Sequence, residues 1–147
     1  MLFRSHLLKD LFGKVYIPKA VENELLRINA LKIDIHSLLE ESWLETRRIE
    51  NRTGINELLK YLDQGESEAI MLSKSLHCDL LLMDENKGRK LAKSIGIKVI
   101  GLIGIIVLSK EKGLIKKIKP YIDELRNEYG FWIKEELYLQ ILESVNE

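Results

Sequence analysis

The chain has 147 residues, no formal net charge and 46% hydrophobic residues, which is typical of one globular domain with a single core. Cys78 is the only cysteine, so an internal disulfide is excluded and a reducing compartment is indicated. Charged residues interrupt the apolar pattern of Met1–Lys14, which excludes a secretory signal. The longest apolar run, Val99–Leu108, is shorter than the roughly 20 residues that a bilayer crossing needs. We therefore predict a cytoplasmic protein without a membrane partner.

In the first half of the chain, the spacing of apolar residues and the positions of glycine and proline predict short helices and strands. In chain order these are a helix over Leu2–Phe12 ended by Gly13, a strand over Val15–Ile17, a helix begun by Pro18, a strand over Trp43–Ile49, and a helix over Ile55–Leu62 that Gly65 separates from the next helix, which begins at Glu66.

The second half contains the clearest unit. The helix GESEAIMLSKSL leads to the strand DLLLM, then to the helix KGRKLAKSI and the strand KVI, and three further helices follow. Strands separated by a helix of this length belong to a parallel sheet. The strand Leu80–Met83 is apolar at every position, as expected where both faces of the sheet are covered. The predicted fold class is α/β, with a parallel sheet flanked by helices.

Acidic residues lie where such a sheet places its sites. Asp84 and Glu85 follow the apolar strand, and ligands bind outside the carboxyl ends of parallel strands. The alternative is that Asp84 caps the next helix. Glu66 and Glu68 open the preceding helix, where both could simply complement the helix dipole. Because Ala69 and Ile70 begin the buried stripe, we predict Glu68 as the inward acid of this pair.

Glu22 and Glu24 pose the same choice on an earlier helix, and Glu24 lies beside Leu25. Carboxylates that converge in one cleft repel each other, and a hard cation such as Mg²⁺ or Mn²⁺ removes that penalty. Such an ion can drive phosphodiester hydrolysis. The sequence offers no competing HExxH pair, phosphate-binding glycine loop or nucleophile elbow.

Basic residues concentrate between Lys87 and Lys119, a stretch that contains ten lysines or arginines and one acid, Glu111. Such asymmetry favours a polyanionic partner. The alternative is a set of solvated helix faces, which carries no functional meaning.

Three blocks of the chain resemble the PIN-like domain family, in a subfamily related to the ribonuclease toxins of toxin–antitoxin pairs. These blocks are VYIPKAVENEL, the long segment from GESEAI through KGRKLA to KEKGLI, and FWIKEELYLQIL. The resemblance covers nearly the whole chain and implies a single PIN-like domain, residues 1–147, with a three-layer fold. It also implies a ribonuclease that uses Mg²⁺ or Mn²⁺ and acts on RNA, with an antitoxin as a protein partner. We also predict a homodimer.

Carried over by position, the resemblance implies that Glu24, Glu68 and Asp84 are the catalytic and metal-binding acids. The resemblance also implies that Glu85 is a supplementary metal ligand and that Glu66 is a weaker candidate for this acidic site. On the helix after Asp84, the resemblance implies nucleic-acid contacts by Lys87, Arg89 and Lys90. The structural alternative for Arg89 is a salt bridge on a helix face.

The chain departs from the family pattern at its start. Family members begin with a central strand that ends in Asp, whereas Met1–Phe12 resembles the end of the first helix. We therefore expect a PIN-like domain without its first strand, and with two exposed strand edges. A start assigned too far downstream is the favoured explanation. A degenerate relative and a strand supplied by another chain are the alternatives.

Two other functional classes remain. One is a PIN-like module that binds RNA or protein without catalysis. The other is a phosphoacceptor receiver domain, because DLLLMDE resembles the strand that carries the phosphorylated aspartate. The spacing of 35 positions between Asp84 and Lys119 is too short for the two strand–helix units that a receiver places there.

Overall fold

The computed structural model describes residues 4–28 and 34–147. Contacts divide the chain into two compact units, one of residues 12–101 and the other of residues 102–147 with the described part of residues 1–11. Within the described ranges, no helix combines the length and apolar content needed to cross a bilayer.

The larger unit contains two parallel strand pairs. Strand β1 (Val15–Pro18) pairs with β2 (Leu44–Arg47), and β3 (Leu81–Leu82) pairs with β4 (Val99–Ile100). These four strands form two separate two-stranded sheets. The α/β prediction is confirmed, including the parallel direction of the strands.

Five helices accompany these strands in the larger unit. They are α2 (Lys19–Arg27), α3 (Ile35–Leu39), α4 (Arg52–Leu58), α5 (Gln64–Ser75) and α6 (Asn86–Ser94). Helix α5 packs against both β1 and β3, α2 against β1, and α6 against β4. Helix α5 therefore contacts one strand of each pair and links the two sheets. Among the described residues no strand precedes β1.

The smaller unit is helical. It contains α7 (Leu102–Glu111), α8 (Lys119–Glu128) and α9 (Glu135–Ser144), together with most of α1 (His6–Phe12). Its core is a cluster of buried side chains from all four helices and the segments between them, namely Leu7, Ile106, Ile115, Ile118, Ile122, Leu125, Ile133, Tyr138 and Leu142. The larger unit has its own core under α5, formed by Leu62, Ile70, Leu81, Met83 and Ala92.

Several predicted boundaries are confirmed and others are wrong. Gly13 follows α1 with a φ of +69°, a backbone conformation that glycine adopts without steric cost. Gly65 does not break a helix, because α5 already begins at Gln64 and Asp63 is its N-cap. The helix predicted over Ile55–Leu62 lies instead at Arg52–Leu58. Helix α3 was not predicted, and residues Leu2 and Phe3 of the first predicted helix lie outside the described residues.

Candidate functional site

Among the described residues of the larger unit, Glu68 is the buried acid, with 7% of its surface exposed. Its Oε2 accepts a hydrogen bond from the Ala20 backbone N–H at 3.0 Å, and its Oε1 accepts one from Gln64 Nε2 at 2.6 Å. The first contact satisfies an N–H group in the first turn of α2, which has no acceptor inside that helix. Glu68 therefore joins α5 to α2, and the prediction that it is the inward acid is confirmed.

Glu66 has a different role at the same helix end. Its side chain accepts a hydrogen bond from the Asp63 N–H, while Asp63 Oδ1 accepts one from the Glu66 N–H at 2.8 Å. This reciprocal pair is a capping box, so capping accounts for Glu66. Burial raises the pKa of the Glu66 carboxyl, and the negative charges of Asp63, Glu85 and Glu24 raise it further.

Glu24 extends from α2 towards the first turn of α5. A Cβ atom added at Gly65 would lie 2.6 Å from Glu24 Oε1, so the absence of a side chain at Gly65 leaves room for this carboxylate. Desolvation raises the pKa of Glu24, and the charge of Asp63 adds to that increase. Glu22, in contrast, binds Lys19 and has a lowered pKa because of that contact. The acid of this helix that faces α5 is therefore Glu24.

A cleft of about 540 Å³ contains both Glu24 and Glu68. Its walls come from α2, the segment after β2, the start of α4 and the first two turns of α5. Besides the two acids, the side chains that line it are the basic residues Lys19, Arg27, Arg48 and Arg52 and the neutral residues Ala20, Asn23, Ile49 and Gln64. The cleft thus combines two carboxylates with an excess of positive charge.

Asp84 lies outside the lining of this cleft, directly after β3. A Cβ atom at Gly101 would lie 2.7 Å from Asp84 Oδ1 and 2.5 Å from Arg89 Nη1, so both side chains occupy the space that Gly101 leaves. The N-cap position of α6 belongs to Glu85, so the structure does not place Asp84 there. Arg89 Nη1 donates to the Met83 carbonyl oxygen at 3.1 Å, which ties the guanidinium to the end of β3.

The predicted metal ligands are only partly brought together. Within residues 4–28 and 34–147, no three aspartate, glutamate, histidine or cysteine side chains are placed to hold one ion. Glu24 and Glu68 nevertheless share a cleft, and Mg²⁺ is commonly bound by one or two carboxylates with several waters. A carboxylate has about four lone-pair sites, so the two hydrogen bonds to Glu68 leave acceptor capacity. Both side chains offer carboxylate oxygens, the ligand type that such an ion takes.

Sequence reasoning missed the basic wall of the cleft. It placed the nucleic-acid contacts at Lys87, Arg89 and Lys90 on α6, none of which lines the cleft. The available signal was the run Arg47-Arg48 with Arg52 shortly after it, at the carboxyl end of a predicted strand. Arg27 could not be added from the sequence, because only the packing of α2 brings it to the same cleft.

In a comparison with protein families, the model of the PIN domain family matches residues 2–147. The match covers almost the whole chain and spans both compact units. No significant match was found among curated proteins or among solved structures.

Proposed function

Because the chain belongs to the PIN domain family, a family of nuclease type, we propose that it is a metal-dependent ribonuclease that hydrolyses RNA phosphodiester bonds. The observation that supports this proposal is the placement of Glu24 and Glu68, from two different helices, in one cleft with four basic side chains. Acids that hold a hard cation and bases that attract phosphate are the two requirements of this chemistry.

In this proposal Glu24 and Glu68 hold Mg²⁺ or Mn²⁺, which supplies Lewis-acid activation of the phosphate and of a bound water. Gln64 and the Ala20 N–H orient Glu68, since each occupies one of its carboxylate oxygens. Gly65 leaves the space in which the Glu24 carboxylate lies. The raised pKa of Glu24 reflects desolvation and the nearby Asp63, and a bound cation would offset both effects.

The predicted contributions of Asp84 and Glu85 stay part of the proposal. Asp84 is exposed after β3, and the charge of Glu85 acts on Glu66 at the first turn of α5. The negative charge of Glu24, on α2, also raises the pKa of the Glu66 carboxyl. Acids from α2 and from the segment after β3 therefore both raise the pKa of a group in the first turn of α5. The predicted antitoxin and homodimer are further proposals, which co-purification and light scattering would test.

The test is hydrolysis of a labelled single-stranded RNA with Mn²⁺, with Mg²⁺ and with a chelator. We expect cleavage only with a divalent ion, and none in Glu24→Gln. Glu57→Gln is the matched control, because Glu57 is an exposed glutamate on α4 that pairs only with Lys60 among the described residues. Cleavage that persists in the chelator, or in Glu24→Gln at the wild-type rate, would contradict the proposal.

A non-catalytic RNA-binding module is the second candidate. It is favoured by the hydrogen bonds that already engage both oxygens of Glu68, and by the absence of a three-acid cluster in the described ranges. In that case RNA would bind without being cleaved, and Mn²⁺ would not raise the melting temperature. The same chelator series separates the two candidates.

A further inference from the structure

The cleft has a cationic wall. It is formed by Lys19 and Arg27 on α2, by Arg48 after β2 and by Arg52 in the first turn of α4. The whole chain has no formal net charge, yet four cationic side chains line this cleft against two carboxylates. The excess of positive charge is local and faces a concave surface.

Two of these cations form no ion pair with an acid of the described residues. Lys19 pairs with Glu22. Arg27 and Arg48 are exposed, and no carboxylate of the described residues lies within 4.0 Å of either guanidinium. Exposed arginines of this kind can bind an incoming anion without first breaking an ion pair.

Arg52 connects this wall to the acids. Its Nη1 lies 4.0 Å from Glu68 Oε1, while 71% of the Arg52 side chain is exposed. An ion pair at this distance that involves such an exposed arginine contributes little to the stability of the fold. A phosphate that contacts Arg52 would lie next to Glu68, which places the bound anion beside the proposed metal ligands.

Guanidinium groups match phosphate oxygens in a planar, bidentate geometry that lysine does not provide. The volume of about 540 Å³ is in the range of small-molecule sites, and a nucleotide unit falls in the same range. We propose that Arg27, Arg48 and Arg52 bind the phosphate backbone of a single-stranded RNA that passes through this cleft. This inference rests on the proposed function for its substrate class, and it moves the main phosphate contacts away from α6.

The α6 residues suit this role less well. Arg89 is half-buried and donates to the Met83 carbonyl, so its guanidinium is already engaged. Lys87 and Lys90 do not line the cleft. An RNA bound only by α6 would make its protein contacts outside the cleft that contains Glu24 and Glu68.

The experiment measures RNA binding by fluorescence anisotropy in a chelator, so that cleavage does not interfere. The probe is a labelled single-stranded RNA of about ten nucleotides, titrated at several salt concentrations. For Arg27→Ala/Arg48→Ala we expect at least tenfold weaker binding. The salt slope should also fall by about 1.4, because each phosphate that is no longer neutralised lowers the slope by about 0.7.

Two matched variants control for charge and for geometry. Lys9→Ala/Lys74→Ala removes the same charge from exposed positions outside both the cleft and the basic stretch Lys87–Lys119, and its affinity should stay within about twofold of wild type. Arg27→Lys/Arg48→Lys should keep the wild-type salt slope but bind RNA more weakly, because lysine cannot make the bidentate phosphate contact. Thermal unfolding of every variant confirms that each one is folded.

Two results would overturn the inference. They are wild-type protein that does not bind RNA, and equally weakened binding in the two alanine pairs. RNA binding that depends on the arginines, without any Mn²⁺-dependent cleavage, would leave the inference standing and refute the proposed ribonuclease.

Discussion

Replacement of Glu68 by alanine tests whether this acid joins two helices as well as lining the cleft. The change removes the acceptor for the Ala20 N–H at 3.0 Å and for Gln64 Nε2 at 2.6 Å. A hydrogen bond to a charged group contributes about 1.5–3 kcal/mol. Gln64 is exposed and regains water, and the Arg52 contact adds little because Arg52 is 71% exposed. We therefore expect the free energy of unfolding to fall by about 2 kcal/mol.

Glu68→Gln should cost less, about 1 kcal/mol, because its amide oxygen still accepts a neutral hydrogen bond from Ala20. The assay is urea unfolding followed by circular dichroism, with thermal unfolding as a second readout. A decrease of about 2 kcal/mol lowers the melting temperature of a chain of this size by about 4–8 °C. Glu57→Ala, an exposed change on α4, should stay within about 0.5 kcal/mol of wild type. Equal stability of Glu68→Ala and wild type would refute the joining role.

Three further predictions concern Gly65, Glu24 and Glu147. Gly65→Ala should leave stability within about 1 kcal/mol of wild type, because the helix gains from alanine while only the flexible end of Glu24 must move. It should reduce cleavage about 100-fold through misplacement of that carboxylate, and unchanged kcat would contradict this. Because the pKa of Glu24 is raised in the folded state, its contribution to stability is lost as pH rises through that pKa. Glu24→Gln should therefore be more stable than wild type at neutral pH and equal to it in acid, below the unfolded pKa; urea unfolding under both conditions checks this, and a less stable variant at neutral pH would be contrary evidence. Burial raises the pKa of Glu147, but hydrogen bonds from the Ile118 N–H and from Lys110 outweigh burial and lower it overall. Its stabilisation is present above the unfolded pKa and is lost as pH falls through the folded pKa, so Glu147→Gln should flatten the acid limb of the stability curve; identical curves would count against that reasoning.

Local sequence was sufficient for most of the elements. The spacing of apolar residues predicted the helices of the smaller unit. Continuous apolar runs predicted both strands around KGRKLAKSI, because such runs are typical of strands covered on both faces. The predicted break at Gly65 was wrong. Asp63 and Glu66 form a capping box, so α5 begins before Gly65. Gly65 does not end a helix; its lack of a side chain leaves space for the Glu24 carboxylate.

The order of residues alone determined the α/β class, the family and the choice of Glu68 as the inward acid, since each depends on periodicity or on motifs along the chain. Tertiary structure alone decided that α2, the segment after β2 and α5 converge, so that Arg27, Arg48 and Arg52 meet Glu24 and Glu68 in one cleft. Such convergence depends on long-range packing of short elements around α5, and no local pattern records which side chains of distant helices share one space. For the same reason, the position of Asp84 beside Gly101 and Arg89, outside that cleft, emerged only from the fold.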